Sequence, residues 1–275
     1  MTWLFVVVSH PSRRTLLERL LDSIRGVEGE IRLVWQASTA PEKLQAYLPL
    51  RLIHADTRCL SCSRNLALDA LEHFDVVAFP DDDAWYPKET LAEVEAIVQG
   101  DPEVQGVVGQ LVTPEGRSTG NRYPPGPVEV TSRNVWRVVS ASTLFVRGAV
   151  VRSLGGFRED LGLGAESPYP SAEDAEWVLR MLRHRMNVVY LPHIRVYHKW
   201  TEDPRVLTAQ RYRMYGRGMG RVLRLYRAPW WEVGVHLIRP LGGALLALLR
   251  GDPRRARVRW AGARGRWEGW TGRCS

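Results

Sequence analysis

Three consecutive aspartates, Asp81, Asp82 and Asp83, follow the apolar segment 75–80 and are the residues of this chain best suited to chemistry. Carboxylates this close together repel one another unless a cation joins them. Oxygen ligands suit Mg²⁺ or Mn²⁺, ions that commonly bind a substrate phosphate as well. We expect Asp81 and Asp83 either to share one metal ion or to divide metal and sugar contacts between them. The competing interpretation is a polar turn that caps the next helix.

The elements around the aspartates follow a β/α pattern. Residues 2–8 form a continuous apolar run, as expected for a strand buried on both faces. Strands are also predicted at 31–35, 51–54 and 75–79, and helices at 13–24, 41–47, 63–71 and 89–98. This alternation predicts a mostly parallel, Rossmann-like sheet flanked by helices, which binds ligands beyond the carboxyl ends of its strands. The acidic triplet lies at such an end.

Five short motifs occur in the order found in one enzyme family. They are residues 6–11 (VVVSHP), 60–65 (LSCSRN), 79–87 (FPDDDAWYP), 155–157 (GGF) with 173–174 (ED), and 197–198 (YH). With these motifs, residues 1–200 resemble the family 2 glycosyltransferases. Those enzymes have the GT-A fold, depend on nucleotide sugars and invert the configuration of the transferred sugar.

The resemblance implies a donor site at the carboxyl edge of the sheet. The implied donor-binding residues are Ser9, His10, Pro11, Gln36, Arg64, Asp81 and Asp82. Arg64, which follows a serine-rich turn, is expected to reach the donor diphosphate; its alternative is an ordinary surface arginine. Gln36 stands where the family usually has an aspartate for the base, so the identity of the nucleotide stays open.

The resemblance also implies a metal site with Asp83 as a direct ligand, joined by Asp81 and by the later His198. The leaving nucleoside diphosphate gains negative charge as the sugar–oxygen bond breaks. Mn²⁺ or Mg²⁺ bound to its phosphates would stabilise that charge as a Lewis acid. Without the family pattern, His198 would be interpreted as a packed or exposed histidine.

Inversion requires a carboxylate that takes the proton of the acceptor hydroxyl. Asp174 is the expected base, and Glu173 is expected to bind acceptor or to orient its neighbour. Both follow the glycine- and proline-rich loop 162–170, the expected acceptor-facing lid. The alternative is that acidic residues simply favour the first turn of a helix. Further acceptor contacts are expected at Trp85, Gly156 and Phe157; Trp85 could equally pack on the next helix.

The positive charge of the chain is concentrated in its last 75 residues. The formal net charge is +8, and residues 201–275 hold 16 arginines, no lysine, five acidic residues and five tryptophans. We expect this segment to be a separate helical, basic appendage. Residues 233–249 are strongly apolar but interrupted by Arg239, Pro240 and two glycines, which makes a membrane-spanning helix a poor interpretation.

Apolar residues flanked by arginine and tryptophan suit the surface of an anionic membrane. We therefore expect residues 229–275 to give a peripheral contact with the cytoplasmic face of the cell membrane. One alternative is that the segment packs on the catalytic domain or on a second subunit of a homo-oligomer. Nucleic acid binding is the least favoured.

Three cysteines and no recognisable signal peptide indicate the reducing cytoplasm. Cys59 and Cys62 form a CxxC sequence, which we interpret as coincidental because no second pair accompanies it. The predicted function is transfer of a sugar from a nucleotide-diphospho-sugar to a hydroxyl of a glycan or lipid-linked acceptor. The alternatives are a metal-dependent nucleotidyltransferase, although the first loop lacks the expected glycines, and a catalytically silent nucleotide-sugar-binding or scaffold protein.

Overall fold

The computed structural model describes residues 1–39, 41, 44, 48–119, 123–198 and 208–274. The chain divides into two compact units. The first comprises residues 1–58, 62–157 and 174–200, and the second comprises 59–61, 158–173 and 201–275. Most of the helix predicted at 41–47 lies outside the described residues.

The first unit begins with four parallel strands. They are β1 (Trp3–Ser9), β2 (Gly29–Trp35), β3 (Leu50–His54) and β4 (Val76–Ala78). β1 lies between β2 and β4, and β3 pairs with β2. The side chains of β1 from Trp3 to Val7 are fully buried, as its unbroken apolar sequence predicts. The strands predicted at 2–8, 31–35, 51–54 and 75–79 are thus confirmed, with ends that differ by one or two residues.

Five further strands complete the sheet. They are β5 (Ala84–Trp85), β6 (Val104–Val112), β7 (Val128–Glu129), β8 (Leu144–Arg147) and β9 (Asn187–His198). The order is β3-β2-β1-β4-β8-β6-β9-β5, with β7 paired to β9. Among the described strands, β5, β7 and β8 run against the other six, so the sheet is mostly parallel, as predicted.

Among the described residues, six α-helices accompany the strands. They are α1 (Arg14–Ser23), α2 (Leu60–Leu66), α3 (Thr90–Gly100), α4 (Val135–Val138), α5 (Gly148–Leu154) and α6 (Glu173–Arg183). α1 buries Leu17, Leu20 and Leu21 in the same core as Trp3 and Phe5 of β1. This packing follows from the 3.6-residue period of its leucines.

Helix α2 starts and ends earlier than the predicted helix at 63–71. The segment after α2 is bound by Arg32, a buried arginine of β2 whose guanidinium donates to the backbone carbonyls of Ala67, Asp69 and Ala70. Ala70 has a φ of 42°, outside the helical range. The segment that follows α2 is thus non-helical and bound to Arg32 of β2.

Cys59 and Cys62 lie at the start of α2, and both are disulfide-bonded. Cys274 is the free cysteine of the described chain. The interpretation of the CxxC spacing as coincidental is therefore wrong.

The second unit contains three long helices, α7 (Ala209–Leu225), α8 (Trp230–Leu249) and α9 (Pro253–Thr271). Glycines allow α7 and α9 to approach closely. A Cβ atom on Gly216 or Gly220 would collide with the backbone of α9, and one on Gly265 or Gly269 would collide with the backbone of α7. These glycines therefore serve close packing between α7 and α9.

Helix α8 continues through Pro240 as one helix of 20 residues. Proline has no N–H, so the carbonyl of His236, one turn earlier, loses its usual helical partner. The Arg266 guanidinium of α9 donates a hydrogen bond of 2.5 Å to that carbonyl. Within the described residues, α8 alone is long and apolar enough to cross a membrane, with a mean hydropathy of 1.4 and 17% of that window buried.

Candidate active site

The acidic turn lies directly after β4, beside the carboxyl end of β1. Asp81 forms a bridge with Val8 of β1, so the turn continues the parallel pairing past the end of the strand. The short strand β5 then pairs antiparallel with the end of β9, placing Ala84 opposite His198 and Trp85 opposite Tyr197. The topology therefore brings His198 to the aspartates from more than a hundred residues away in the sequence.

Asp82 binds the loop that follows β1. Its buried carboxylate accepts a hydrogen bond from Ser9 Oγ at 2.6 Å and another from Arg13 Nε at 2.6 Å. Burial raises the pKa of Asp82, and the hydrogen bonds from Ser9 and Arg13 oppose this effect. In this arrangement Asp82 fixes the position of the loop instead of facing solvent.

Asp83 lies between Arg13 and His198. One carboxylate oxygen is 2.6 Å from an Arg13 guanidinium nitrogen, and the other is 3.2 Å from His198 Nε2. Burial alone would raise the pKa of Asp83, but the hydrogen bonds and charges of His198 and Arg13 outweigh it and lower the pKa to about 2. The hydrogen bond to Asp83 raises the pKa of His198 above its usual value, against the effect of burial.

Asp83 and His198 fit two neighbouring ligands of one divalent ion. Two ligand atoms at about 2.1 Å from an octahedral ion, at right angles, are about 3 Å apart, close to the 3.2 Å observed. A mixed oxygen and nitrogen set favours Mn²⁺ over Mg²⁺, which prefers oxygen alone. Within the described part of the chain, no three His, Cys, Asp or Glu side chains converge as a complete metal site. The remaining ligands would have to come from Asp81, water or the bound phosphates.

Asp81, the third predicted metal ligand, is held by two other residues. Arg64 donates to one carboxylate oxygen at 3.0 Å, and Ser142 Oγ donates to the other at 2.6 Å. The side chain of Asp81 is 41% exposed, whereas that of Arg64 is only 2% exposed. The guanidinium of Arg64 also lies over the ring of Phe157, 5.3 Å from its centroid. Arg64 is therefore a buried site residue and not an ordinary surface arginine.

The residues predicted to contact the nucleotide line the ends of β1 and β2. The backbone N–H of Gln36 donates to the Ser9 carbonyl, and its side-chain amide donates to Ser63 Oγ at 3.0 Å. His10 is exposed, and its Nδ1 lies 3.1 Å from Ser12 Oγ. Pro11 opens a single 3₁₀ turn that leads into α1. The structure thus brings together Ser9, Gln36 and the acidic turn at one edge of the sheet.

Asp174 lies at the start of α6, and its carboxylate accepts a hydrogen bond from the Ala175 N–H at 2.7 Å. Burial raises the pKa of Asp174; the positive charge of Arg64 opposes this, and the negative charge of Asp81 adds to it. Asp174 thus shares one electrostatic environment with the Arg64–Asp81 pair. A carboxylate with a raised pKa is a stronger base than an ordinary aspartate.

Glu173, the other member of the predicted pair, belongs to the second unit. It lies against Gly162, where an added Cβ would be 3.2 Å from the Glu173 carboxyl carbon and 2.8 Å from Ser61 Oγ. Gly162 has a φ of 99°, a conformation that side chains rarely adopt. This close approach fixes one end of the predicted lid loop beside Glu173.

Gly156 and Phe157 do not present side chains to an acceptor. Phe157 is buried, edge-on to Phe79 and stacked on Trp177. Asn65 exchanges two hydrogen bonds with the backbone of Phe157, at 2.7 and 2.9 Å, and leaves no room for a Cβ on Gly156. The expected acceptor contact is corrected for Phe157, whose ring is buried, and stays a prediction for the partly exposed Gly156. Both residues support helix α2 and hence Arg64.

Trp85 remains partly accessible. The guanidinium of Arg19 lies over its ring, 4.6 Å from the centroid, and Tyr197 packs against it at 5.7 Å. Both of the interpretations made from the sequence, contact with a ligand and packing on a neighbouring element, are compatible with this position.

Two solved glycosyltransferase structures share this architecture. Residues 1–349 of S. aureus TarS superpose with a TM-score of 0.59 at 17% identity, over 94% of this chain and 90% of that fragment, whereas the longer TarS chain is covered to 55%. The mannosyltransferase PcManGT from Pyrobaculum calidifontis, solved with GDP-Man and Mn²⁺, superposes with a TM-score of 0.62 at 17% identity, over 97% of this chain and 87% of that one. This chain has the GT-A glycosyltransferase fold.

TarS has also been solved with UDP-GlcNAc, and that complex covers 98% of this chain with a TM-score of 0.58. No protein-family model and no curated protein matches the chain in sequence. The prediction of a GT-A fold is confirmed by the three-dimensional likeness to these structures over nearly the whole chain.

Two residues of the GT-A site were missed from the sequence. Arg13 binds both Asp82 and Asp83, and its position just after the first loop could have identified it. Ser142 binds Asp81 from a 3₁₀ turn that precedes β8. Nothing in the sequence marks that serine, because the turn is brought to the site only by the pairing of β8 with β4.

The predicted lid loop borders an open cavity of about 440 Å³ within the second unit. Its lining residues are Gly164, Ala165, Ser167, Pro168 and Pro170 of the loop, and Gln210, Arg213, Met214 and Arg217 of α7. Ser171 Oγ donates to the Tyr215 carbonyl at 2.9 Å, which ties the end of the loop to the helix.

Proposed function

We propose that this protein is a nucleotide-sugar-dependent glycosyltransferase that transfers its sugar, with inversion, to a hydroxyl acceptor. The observation that carries the proposal is the Arg64–Asp81 pair beside Asp174, with Asp83 and His198 in contact, at the carboxyl edge of a GT-A sheet. A carboxylate of raised pKa near a buried cation suits a reaction in which a hydroxyl is deprotonated and a diphosphate departs.

In this proposal Asp83 and His198 hold a divalent ion, with Mn²⁺ the better match to their donor atoms. When bound, the ion supplies Lewis-acid stabilisation of the departing diphosphate. Arg64 supplies a fixed positive charge at the same edge of the sheet. Because its guanidinium is already buried, little reorganisation is needed as negative charge develops on the donor.

Asp174 takes the proton of the acceptor hydroxyl as that oxygen attacks the sugar carbon. The bond between the sugar and the diphosphate breaks, and the nucleoside diphosphate leaves with the bonding electrons. A single base opposite the leaving group gives inversion. Burial and the nearby Asp81 strengthen Asp174 as a base, while Arg64 limits the rise in its pKa.

The donor base, the sugar and the acceptor are proposed only by class. Gln36, at the end of β2, has its amide bound to Ser63, so a base recognised there would meet an amide instead of a carboxylate. The neighbours bind UDP-GlcNAc in TarS and GDP-Man in PcManGT. Those two donors therefore come first in a substrate screen.

The test is a turnover assay on the full chain with a panel of nucleotide sugars, Mn²⁺ and simple alkyl glycosides as hydroxyl acceptors. We expect release of one nucleoside diphosphate and formation of a glycoside whose anomeric configuration, read by NMR, is opposite to that of the donor. Release of pyrophosphate would indicate a nucleotidyltransferase instead. Retained configuration would contradict the role assigned to Asp174.

A further inference from the structure

Helix α8 exposes an apolar stripe along one side. Its members recur at the spacing of one helix face, and their exposed fractions range from 40% to 77%; they are Trp231, Val235, Ile238, Leu245, Leu246 and Leu249. Gly242, also exposed, continues the same line. Contiguous exposed apolar surface of this length is unusual for a protein face that meets only water.

The opposite side of α8 is the side that packs within its own unit. Val233, Ala244 and Ala247 are buried there, and the two alanines form a small core with Ala256 of α9. The Arg266 guanidinium of α9 also donates a hydrogen bond to the His236 carbonyl of α8. Thus α8 is held against α9 by one face, while the apolar stripe lies on the other.

Arginines surround the carboxyl end of the stripe. Arg250 follows α8 directly, and Arg254, Arg255 and Arg257 occupy the first turn and a half of α9; all four are exposed. Asp252, in the connection between α8 and α9, is engaged as the cap of α9, accepting from the Arg255 N–H at 2.8 Å. The apolar surface therefore borders a region of strong positive charge.

We propose that this stripe and the adjoining arginines form a docking surface for an anionic lipid bilayer, with α8 lying in the plane of the membrane. Apolar side chains enter the boundary between headgroups and acyl chains, and the arginines contact lipid phosphates. The exposed Trp230 and Trp260 suit the same interfacial layer. This inference does not depend on the proposed transfer reaction.

An in-plane helix fits better than a membrane-spanning one. α8 packs along α9, which carries six arginines. Insertion of α8 across the bilayer would either separate the two helices or draw those arginines into hydrocarbon, where they are strongly disfavoured.

The test measures sedimentation of the full chain with two kinds of vesicle, phosphatidylcholine alone and equal parts phosphatidylcholine and phosphatidylglycerol. We expect binding to the anionic vesicles only. The combined change Ile238→Asp and Leu245→Asp should weaken binding more than tenfold, since it removes insertion. The combined change of Arg254, Arg255 and Arg257 to Gln should weaken it by roughly a hundredfold, about fivefold for each arginine.

Leu66→Asp is the matched control, because Leu66 is an exposed leucine outside α8. This variant should bind the anionic vesicles as tightly as the wild type does. Circular dichroism verifies that every variant is folded. Absent binding to anionic vesicles, or equal binding by the folded stripe variant, would overturn the proposal. So would a dimer in light scattering that the stripe variant abolishes. Resistance of bound protein to alkaline carbonate would overturn the in-plane arrangement.

Discussion

Arg64 and Asp81 form an ion pair of 3.0 Å in which the guanidinium is almost fully buried and the carboxylate is partly exposed. A buried charge needs permanent partners. Arg64 has them in Asp81 and in the ring of Phe157, which is itself fixed by Asn65. The cation is thus in place before any donor arrives, as electrostatic stabilisation of a leaving group requires.

Replacing Arg64 should therefore affect turnover more than fold. We expect Arg64→Lys to lower kcat/KM by roughly 100-fold, because a lysine cannot reproduce the planar contacts with carboxylate and ring. Steady-state kinetics with the identified donor measure the effect. Arg25→Gln, at an exposed arginine just after α1, is the control. Kinetics of Arg64→Lys equal to those of the control would remove Arg64 from the site.

Asp174→Asn should retain donor binding and lose transfer. The amide keeps the size of the side chain but cannot accept a proton, so we expect kcat to fall by at least about 100-fold. Because the pKa of Asp174 is raised, wild-type turnover should fall with decreasing pH already above the ordinary range of an aspartate. A pH profile of kcat/KM measures this decrease on the acidic side. If Asp174→Asn turns over at the wild-type rate, another residue is the base. The control is Asp22→Asn, which changes an exposed aspartate of α1.

The second unit contains a carboxylate that should govern its acid stability. Glu268 is buried and ion-paired with Arg213, Arg217 and Arg264. Burial alone would raise the pKa of Glu268, but hydrogen bonds from the arginines lower it to about 2. A depressed pKa gives stability that is fully present above the unfolded value near 4.5 and lost as the pH falls toward 2.

Glu268→Gln should consequently destabilise the protein by about 2 to 3 kcal/mol at neutral pH. It should also flatten the loss of stability between pH 4.5 and 2. Thermal unfolding across this pH range gives both quantities, with Glu103→Gln as an exposed control. If the stability of Glu268→Gln falls as steeply as that of the wild type between pH 4.5 and 2, other groups determine the acid dependence of stability.

The contact between α7 and α9 should tolerate no side chain at its glycines. A Cβ on Gly265 would meet the Arg213 carbonyl, so we expect Gly265→Ala to cost about 1 to 3 kcal/mol through overpacking. Gly234→Ala is a matched control in α8, where no atom lies within 4 Å of the added Cβ. That variant should be neutral or more stable by up to about 1 kcal/mol. Urea unfolding compares the two, and equal stabilities would contradict the close packing.

The sequence predicted those features that depend on local pattern. The apolar run of β1, the leucine period of α1 and the position of the acidic turn follow from residue order alone. The non-helical segment after α2 could not be predicted, because its contacts are with Arg32 of the distant strand β2. The continuity of α8 through Pro240 likewise depends on Arg266, 26 positions later.

The site shows the same division. The acidic turn and Asp174 could be selected from residue type and family pattern, but the partners of the aspartates are set by strand pairing. His198 reaches Asp83 because β9 pairs with β5, and Ser142 reaches Asp81 because β8 pairs with β4. Phe157 was misjudged because an aromatic residue in a loop has the same sequence whether it contacts ligand or core.

We propose that Asp83 takes part in a metal-dependent donor site. The most direct measurement is calorimetric titration of the wild type and Asp83→Asn with UDP, GDP, dTDP and CDP, each with and without Mn²⁺. Asp22→Asn is the control. We predict that one nucleotide binds the wild type and the control only with Mn²⁺, and that Asp83→Asn loses this binding while remaining folded. Metal-independent binding, or undiminished metal-dependent binding by Asp83→Asn, would contradict the account.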